Sequence, residues 1–239
     1  KSFGGITAVD GCSFAVAEHS LTALIGPNGA GKTTVFNLVS GLQDRDRGDI
    51  RLAGTSICHL PAHRRARAGI ARTFQSVRLF NNLSILDNCL LALTDHDDRV
   101  LVGRGRGGAR RLRQHEKVRE VLDLVGCREP LTTPAADLSY GQGKLLELAR
   151  ALLLPHRLLL LDEPVAGVTP PLREVLKAVL RQLKTQGETV LMIEHDMQFV
   201  FDVADWVIVM AAGKVLKSGS PDVIRRDREV LEVYLGEQL

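Results

Sequence analysis

Apolar residues follow three rhythms along this chain. In the first third, residues 12–17, Leu21–Ile25, 49–52 and 70–74 form short β-rich runs. In the last third, strand-like runs at 158–161, 189–193 and 206–210 alternate with helical patterns at 172–185 and 197–204. That alternation predicts an α/β sheet with helices on its faces. Between them, residues 84–93, 112–125 and 141–154 carry apolar positions at three- and four-residue spacing, which predicts an inserted helical lobe. Ser84, with Asp87 three residues on, predicts a capped start for the first of these helices. Residues 99–113 hold Gly103, Gly105, Gly107 and Gly108 among six arginines. This stretch is expected to be a mobile, solvated loop, because no aromatic residue is interleaved as an anion-binding surface would require.

At 239 residues and 45% hydrophobic content, the chain can bury a sizeable core as one large domain or a core with one sub-lobe. A net charge of +3 gives no argument for nucleic acid. Cys12, Cys58, Cys89 and Cys127 form neither C-x-x-C nor a Cys/His metal spacing, so free thiols in a reduced cytosolic compartment are expected, without zinc. No apolar stretch approaches about 18 residues, and the start has no signal-peptide build, so no membrane crossing is expected. The chain begins at Lys1 and not Met, which gives the expectation that its numbering starts inside a longer polypeptide.

Chemistry enters with Gly26-Pro27-Asn28-Gly29-Ala30-Gly31-Lys32-Thr33, which fits G-x-x-x-x-G-K-[ST] and is followed by Thr34. The apolar run Leu21–Ile25 before it and a helical pattern after it supply the strand–loop–helix order this phosphate loop requires. Glycines let the backbone approach phosphates, Lys32 supplies a point charge, and the Thr33 hydroxyl suits Mg²⁺. Binding of ATP or GTP follows. Far downstream, Leu158-Leu159-Leu160-Leu161 ends in Asp162-Glu163. Asp162 is placed to hold Mg²⁺, and Glu163 to polarise a water for in-line attack on the γ-phosphate.

Between the two motifs lies Leu138-Ser139-Tyr140-Gly141-Gln142, which resembles the LSGGQ signature of the ABC ATPases, with Tyr140 replacing the first Gly of the pair. The resemblance spans essentially the whole chain. It implies a P-loop NTPase core of residues 1–75 and 156–239, a RecA-like sheet with an antiparallel β subdomain, and a helical signature lobe of residues 76–155. It further implies that Ser139, Tyr140, Gly141 and Gln142 meet the γ-phosphate held by a second subunit. Gln75 resembles the Q-loop glutamine that contacts Mg²⁺ or the attacking water, His195 the switch histidine, and Phe3 the aromatic that stacks on adenine. Thr169 stands where the family usually has Asp or Asn in its D-loop, and Gly143 replaces a polar residue at the helix start.

The wording Arg72-Thr73-Phe74-Gln75, Arg78-Leu79-Phe80, Ile193-Glu194-His195-Asp196-Met197 and Val233-Tyr234-Leu235-Gly236-Glu237 resembles ATP-binding subunits of branched-chain amino acid importers of the LivG type. Urea or amide importers and lipopolysaccharide-export ATPases are similar in part. The branch implies ATP and Mg²⁺ as cofactors, a second ATPase subunit, two membrane permeases and, indirectly, an extracytoplasmic solute-binding protein. It implies a peripheral position on the cytoplasmic face of the membrane, with permease docking on Leu79, Phe80, Leu83 and Leu86. A non-transport ABC protein acting on nucleic acid is disfavoured by the absence of a fused second half or a long coiled coil. A signalling GTPase is disfavoured by the absence of an N-K-x-D element.

Overall fold

The computed structural model describes residues 1–93 and 107–235. A hairpin of β1 (Ser2–Phe3) and β2 (Ile6–Thr7) precedes β3 (Leu21–Ile25) and α1 (Lys32–Ser40). A second hairpin, β4 (Arg51–Leu52) and β5 (Thr55–Ser56), leads to α2 (Ala62–Ala68) and β6 (Ile70–Arg72). The helices α3 (Ile85–Leu93), α4 (Gly107–Val125) and α5 (Tyr140–Leu153) follow, with a 3₁₀ turn at Ala135–Asp137. The chain then alternates β7 (Leu158–Asp162), α6 (Pro170–Thr185), β8 (Val190–Ile193), α7 (Met197–Val203) and β9 (Trp206–Ala211). It closes with β10 (Lys214–Gly219), α8 (Pro221–Arg225) and α9 (Arg228–Leu235).

The central sheet has the order β10-β9-β3-β8-β7-β6, parallel except for β10. Its parallel strands are apolar at nearly every position, Thr22 and the strand-end Arg72 and Asp162 apart, because both faces are covered. Leu159 and Leu161 of β7 and Val190 and Met192 of β8 join the core on one face. Leu160, Leu191 and Ile193 join the α1 side, with Phe36 at its centre. Each such fully buried side chain contributes about 1.5–3 kcal/mol. The register pairs Leu24 with Ile193, Asp162 with Ile193 and Arg72 with Leu160. The C-terminal ends of β3, β6, β7 and β8 therefore open along one edge, where ligands of open parallel sheets bind.

Two expectations need correction. Residues 12–17 form no paired strand; Cys12, Phe14 and Val16 do alternate inward onto the α1-side core, so the pattern is real, but an extended segment needs a hydrogen-bonded neighbour to become a strand. Residues 107–113, expected in a loop, are the first turns of α4. A helix nucleated over 112–125 extends backwards at one hydrogen bond per residue fixed, and arginine is a good helix former. Residues 99–106, the rest of that expected loop, lie outside the described residues.

The antiparallel portion of the core reduces to the two short hairpins and β10. Polar α2 was not legible from apolar spacing; its buried Arg65 donates to Leu60 O at 2.8 Å and Val39 O at 3.1 Å, closing the end of α1. Among the described residues, no helix is long and apolar enough to cross a membrane.

Candidate active site

The phosphate loop is shaped by close backbone approach. A Cβ on Gly26 would lie 2.0 Å from Met210 O, and one on Gly31 2.3 Å from Ala8 O, so neither position admits a side chain. Gly29, at φ +78°, faces open space. Ala30 is buried and its N–H donates to Pro27 O at 3.2 Å, while Asn28 is exposed. Gly31 caps α1 without a side chain, and no acid occupies the first turn. The first-turn amides and the helix dipole are thereby left to an external anion, which is the donor set a nucleotide phosphate needs. Buried Lys32 folds over the loop, its ammonium donating to Gly26 O at 2.7 Å and Pro27 O at 2.8 Å. Thr33 is exposed and Thr34 half-buried at the same helix start.

At the end of β7, two neighbouring acids meet different surroundings. Asp162 is buried and faces Arg72 at 2.9 Å, with both side chains under a tenth exposed. Arg72 also donates to Asn37 Oδ1 and Ser40 Oγ at 2.8 Å and lies over the rings of Phe74 and Phe36, at 5.1 and 5.6 Å. Burying a carboxylate is costly unless it is paired, and Arg72 supplies the pairing. Glu163 points instead into the cleft, between Gln75 Nε2 at 3.0 Å and His195 Nε2 at 3.1 Å. Its φ of +49° is rare for a side-chain-bearing residue and stores strain of about 1–3 kcal/mol. The N–H of Glu163 donates to Ile193 O at 3.0 Å, so the β7–β8 pairing fixes the turn. Buried Glu194 accepts from Val165 N at 2.8 Å and His195 N at 3.1 Å, tying the backbone of His195 to the turn after β7. Burial raises the pKa of Glu194 above the ordinary carboxyl range, against the backbone N–H groups that lower it.

The signature turn is closed on itself. Ser139 caps α5 by accepting from Gln142 N at 3.3 Å, and Gln142 Oε1 accepts from Ser139 N at 2.8 Å. Gln142 Nε2 also bonds Glu129. A Cβ on Gly141 would lie 2.4 Å from Leu172 Cδ2, and one on Gly143 3.2 Å from Val77 Cγ1, so both glycines admit close packing. Tyr140, exposed on one side, lies against Gly167 of the D-loop. Thr169 stands at the N-cap of α6 without a side-chain capping bond. Phe3 is 43% exposed in β1, with the Lys1 ammonium 5.3 Å from its ring. The capped start expected at Ser84 is present: its hydroxyl accepts from Asp87 N at 3.1 Å.

Glu163 is thus brought into direct contact with Gln75 and His195, Asp162 adjoins it, and Lys32 closes the loop after β3, one strand away across β8. Sequence reasoning missed Arg72 as the partner of Asp162, and it missed Lys144, Glu147 and Glu194. The available signal was a charged residue inside an apolar helical or strand-end run, as in Lys144-Leu145-Leu146-Glu147-Leu148.

Residues 9–166 match the profile of the ABC transporter family. The chain belongs to this family. As an ABC-type ATPase it is similar in sequence to the high-affinity branched-chain amino acid transport ATP-binding protein BraF of Pseudomonas aeruginosa, 41% identical over 98% of this chain and 94% of BraF. It is similar to LivG of Escherichia coli, 35% identical over 98% of this chain and 94% of LivG. Among solved structures, the ADP conformation of MJ1267, an ATP-binding cassette of an ABC transporter, superposes with a TM-score of 0.82 at 30% identity, covering 99% of this chain and 95% of that one. A nucleotide-free ATP-binding cassette from an ABC transporter gives 0.81 at 28% identity, covering 98% of this chain and 95% of the other.

Proposed function

We propose that this ABC ATPase powers an importer of branched-chain or closely related amino acids. The observation that carries the catalytic part is Glu163 held between Gln75 and His195 just past the end of β7, with β8 between that strand and β3, which leads into the phosphate loop. The cargo class is supported by similarity to BraF and LivG over nearly the full chain.

In this reading Glu163 orients the attacking water and takes its proton, and His195 and Gln75 hold that carboxylate in the cleft. Lys32 swings from its own loop carbonyls to the β- and γ-phosphates. Residues Gly26 to Gly31 offer backbone N–H groups, and Phe3 offers a ring face to adenine. Thr33, Gln75 and Asp162 would hold Mg²⁺, which supplies charge neutralisation at the transferred phosphoryl group. Ser139 and Gly141 serve the site of a second ATPase subunit, since their turn is capped locally and presents a helix N-terminus outward. Residues 76–155 act as the lobe that engages two permeases, with exposed Phe80 and half-buried Leu79, Leu83 and Leu86 at the contact. The chain then works at the cytoplasmic face of the membrane, with a solute-binding protein on the far side.

Deleting the gene in its host should abolish uptake of radiolabelled leucine, isoleucine and valine, with rescue by the wild type and not by Glu163→Gln. Unchanged uptake of all three alongside lost uptake of urea or an amide would redirect the cargo and leave the ATPase intact.

A further inference from the structure

Helix α5 carries two buried charged side chains that hold the catalytic loops from inside the same chain. Lys144 is 5% exposed, and its ammonium donates to Gln75 O at 2.9 Å and to Glu163 O at 3.4 Å. These are the backbone carbonyls of the two residues whose side chains meet at 3.0 Å in the cleft. One turn later Glu147, 6% exposed, accepts from Phe74 N at 3.3 Å and Arg78 N at 3.4 Å, the amides on either side of Gln75. Four backbone groups of the catalytic loops are therefore bonded to one helix.

Burying an ammonium costs free energy unless its N–H groups are used, and a methionine of similar length would fill the same space without that cost. What the ammonium adds is the orientation of two peptide groups. The one at Glu163 follows a backbone angle that a side-chain-bearing residue rarely adopts, so its carbonyl needs a fixed partner.

Building on the assignment of Glu163 as the catalytic carboxylate, we propose that Lys144 is a positioning residue: the signature helix uses it to set the backbone of Gln75 and Glu163 in cis. A displacement of the helical lobe is then passed to Glu163 through its main chain as well as through the Gln75 side chain. The signature helix thus serves two sites, a partner's through Ser139 and Gly141 and its own through Lys144.

The test compares the purified wild-type chain with Lys144→Met, Lys144→Gln, Lys144→Arg and the core truncation Leu148→Ala, measuring kcat, KM for ATP, affinity for a fluorescent ATP analogue and Tm. A small misplacement of reacting groups lowers turnover on the order of tenfold or more. Lys144→Met should show that fall in kcat with KM and analogue affinity within about twofold of wild type. Lys144→Gln, which keeps a donor, should fall between, and Lys144→Arg should recover most of the rate. Leu148→Ala should lower Tm without the tenfold loss. Wild-type kcat in Lys144→Met, or a loss in Leu148→Ala matching that in Lys144→Met, would overturn the inference while leaving Glu163 in its role. A wild-type chain that binds ATP without turning it over would overturn both.

Discussion

The strand-end rim and the helical lobe position their functional groups by opposite means. At the rim, Asp162 is the last paired residue of β7, and Glu163 and His195 sit one and two residues beyond paired parallel strands, so the register of the sheet places them. Their polar atoms are cross-linked to Arg72, Gln75 and Glu194. In the lobe, the signature turn is held by its own capping box over an apolar interior containing Ile85, Cys89, Val118 and Leu146. The rim is therefore wired by strand pairing and by hydrogen bonds between residues distant along the chain. The lobe shares one hydrophobic core with the sheet face that carries Leu159, Leu161, Val190 and Met192, and its outward-facing helix start is left to its own cap, while Lys144 and Glu147 add polar links from α5 to the loops at the rim.

The sharpest way to break the rim is at its backbone. Gly26→Ala forces a Cβ to 2.0 Å from Met210 O, and the expected loss is about 3 kcal/mol or more of stability together with ATP binding, read by chemical denaturation and nucleotide titration. Next, His195→Ala removes one of the two groups flanking Glu163 and should lower kcat about a hundredfold with Tm little changed, because His195 is exposed. A Tm loss in step with the rate would turn His195 into a structural residue.

The lobe's dryness is tested by Cys89, whose thiol is pushed up to about 12 by burial, from an ordinary 9.0. The folded state keeps this proton while the unfolded state loses it above 9.0, so stability should fall as pH rises from 9 towards 12. Cys89 contributes a slope of about 1.4 kcal/mol per pH unit, and Cys89→Ala should be shallower by that amount, keeping the contributions of Cys12 and Cys127, whose thiols burial also raises. Equal alkaline slopes would mean that water reaches the lobe interior. The smallest effect is Ser139→Ala, which loses the cap of α5 and should cost about 1 kcal/mol, seen in denaturant midpoints.

Legibility in the sequence follows the same division. Strands β3, β7, β8 and β9 were readable because both of their faces are covered and the chain must be apolar over most of their length. The phosphate loop and the Asp162-Glu163 pair were readable because their chemistry restricts residue type at each position. The extended run at 12–17 was misread because pairing depends on where another strand lies, which no local pattern encodes. Arg72, Lys144 and Glu194 escaped for the same reason: each is a charge buried against groups distant along the chain, and its partner exists only once the sheet and the lobe are assembled.

The claim on which the account turns is that Glu163 activates the attacking water. Steady-state ATP turnover and ATP affinity of Glu163→Gln against wild type test it most directly. Turnover should fall on the order of a thousandfold with ATP affinity retained. Wild-type turnover in Glu163→Gln would remove Glu163 from the chemistry and leave the Gln75–Glu163–His195 contact without a catalytic meaning.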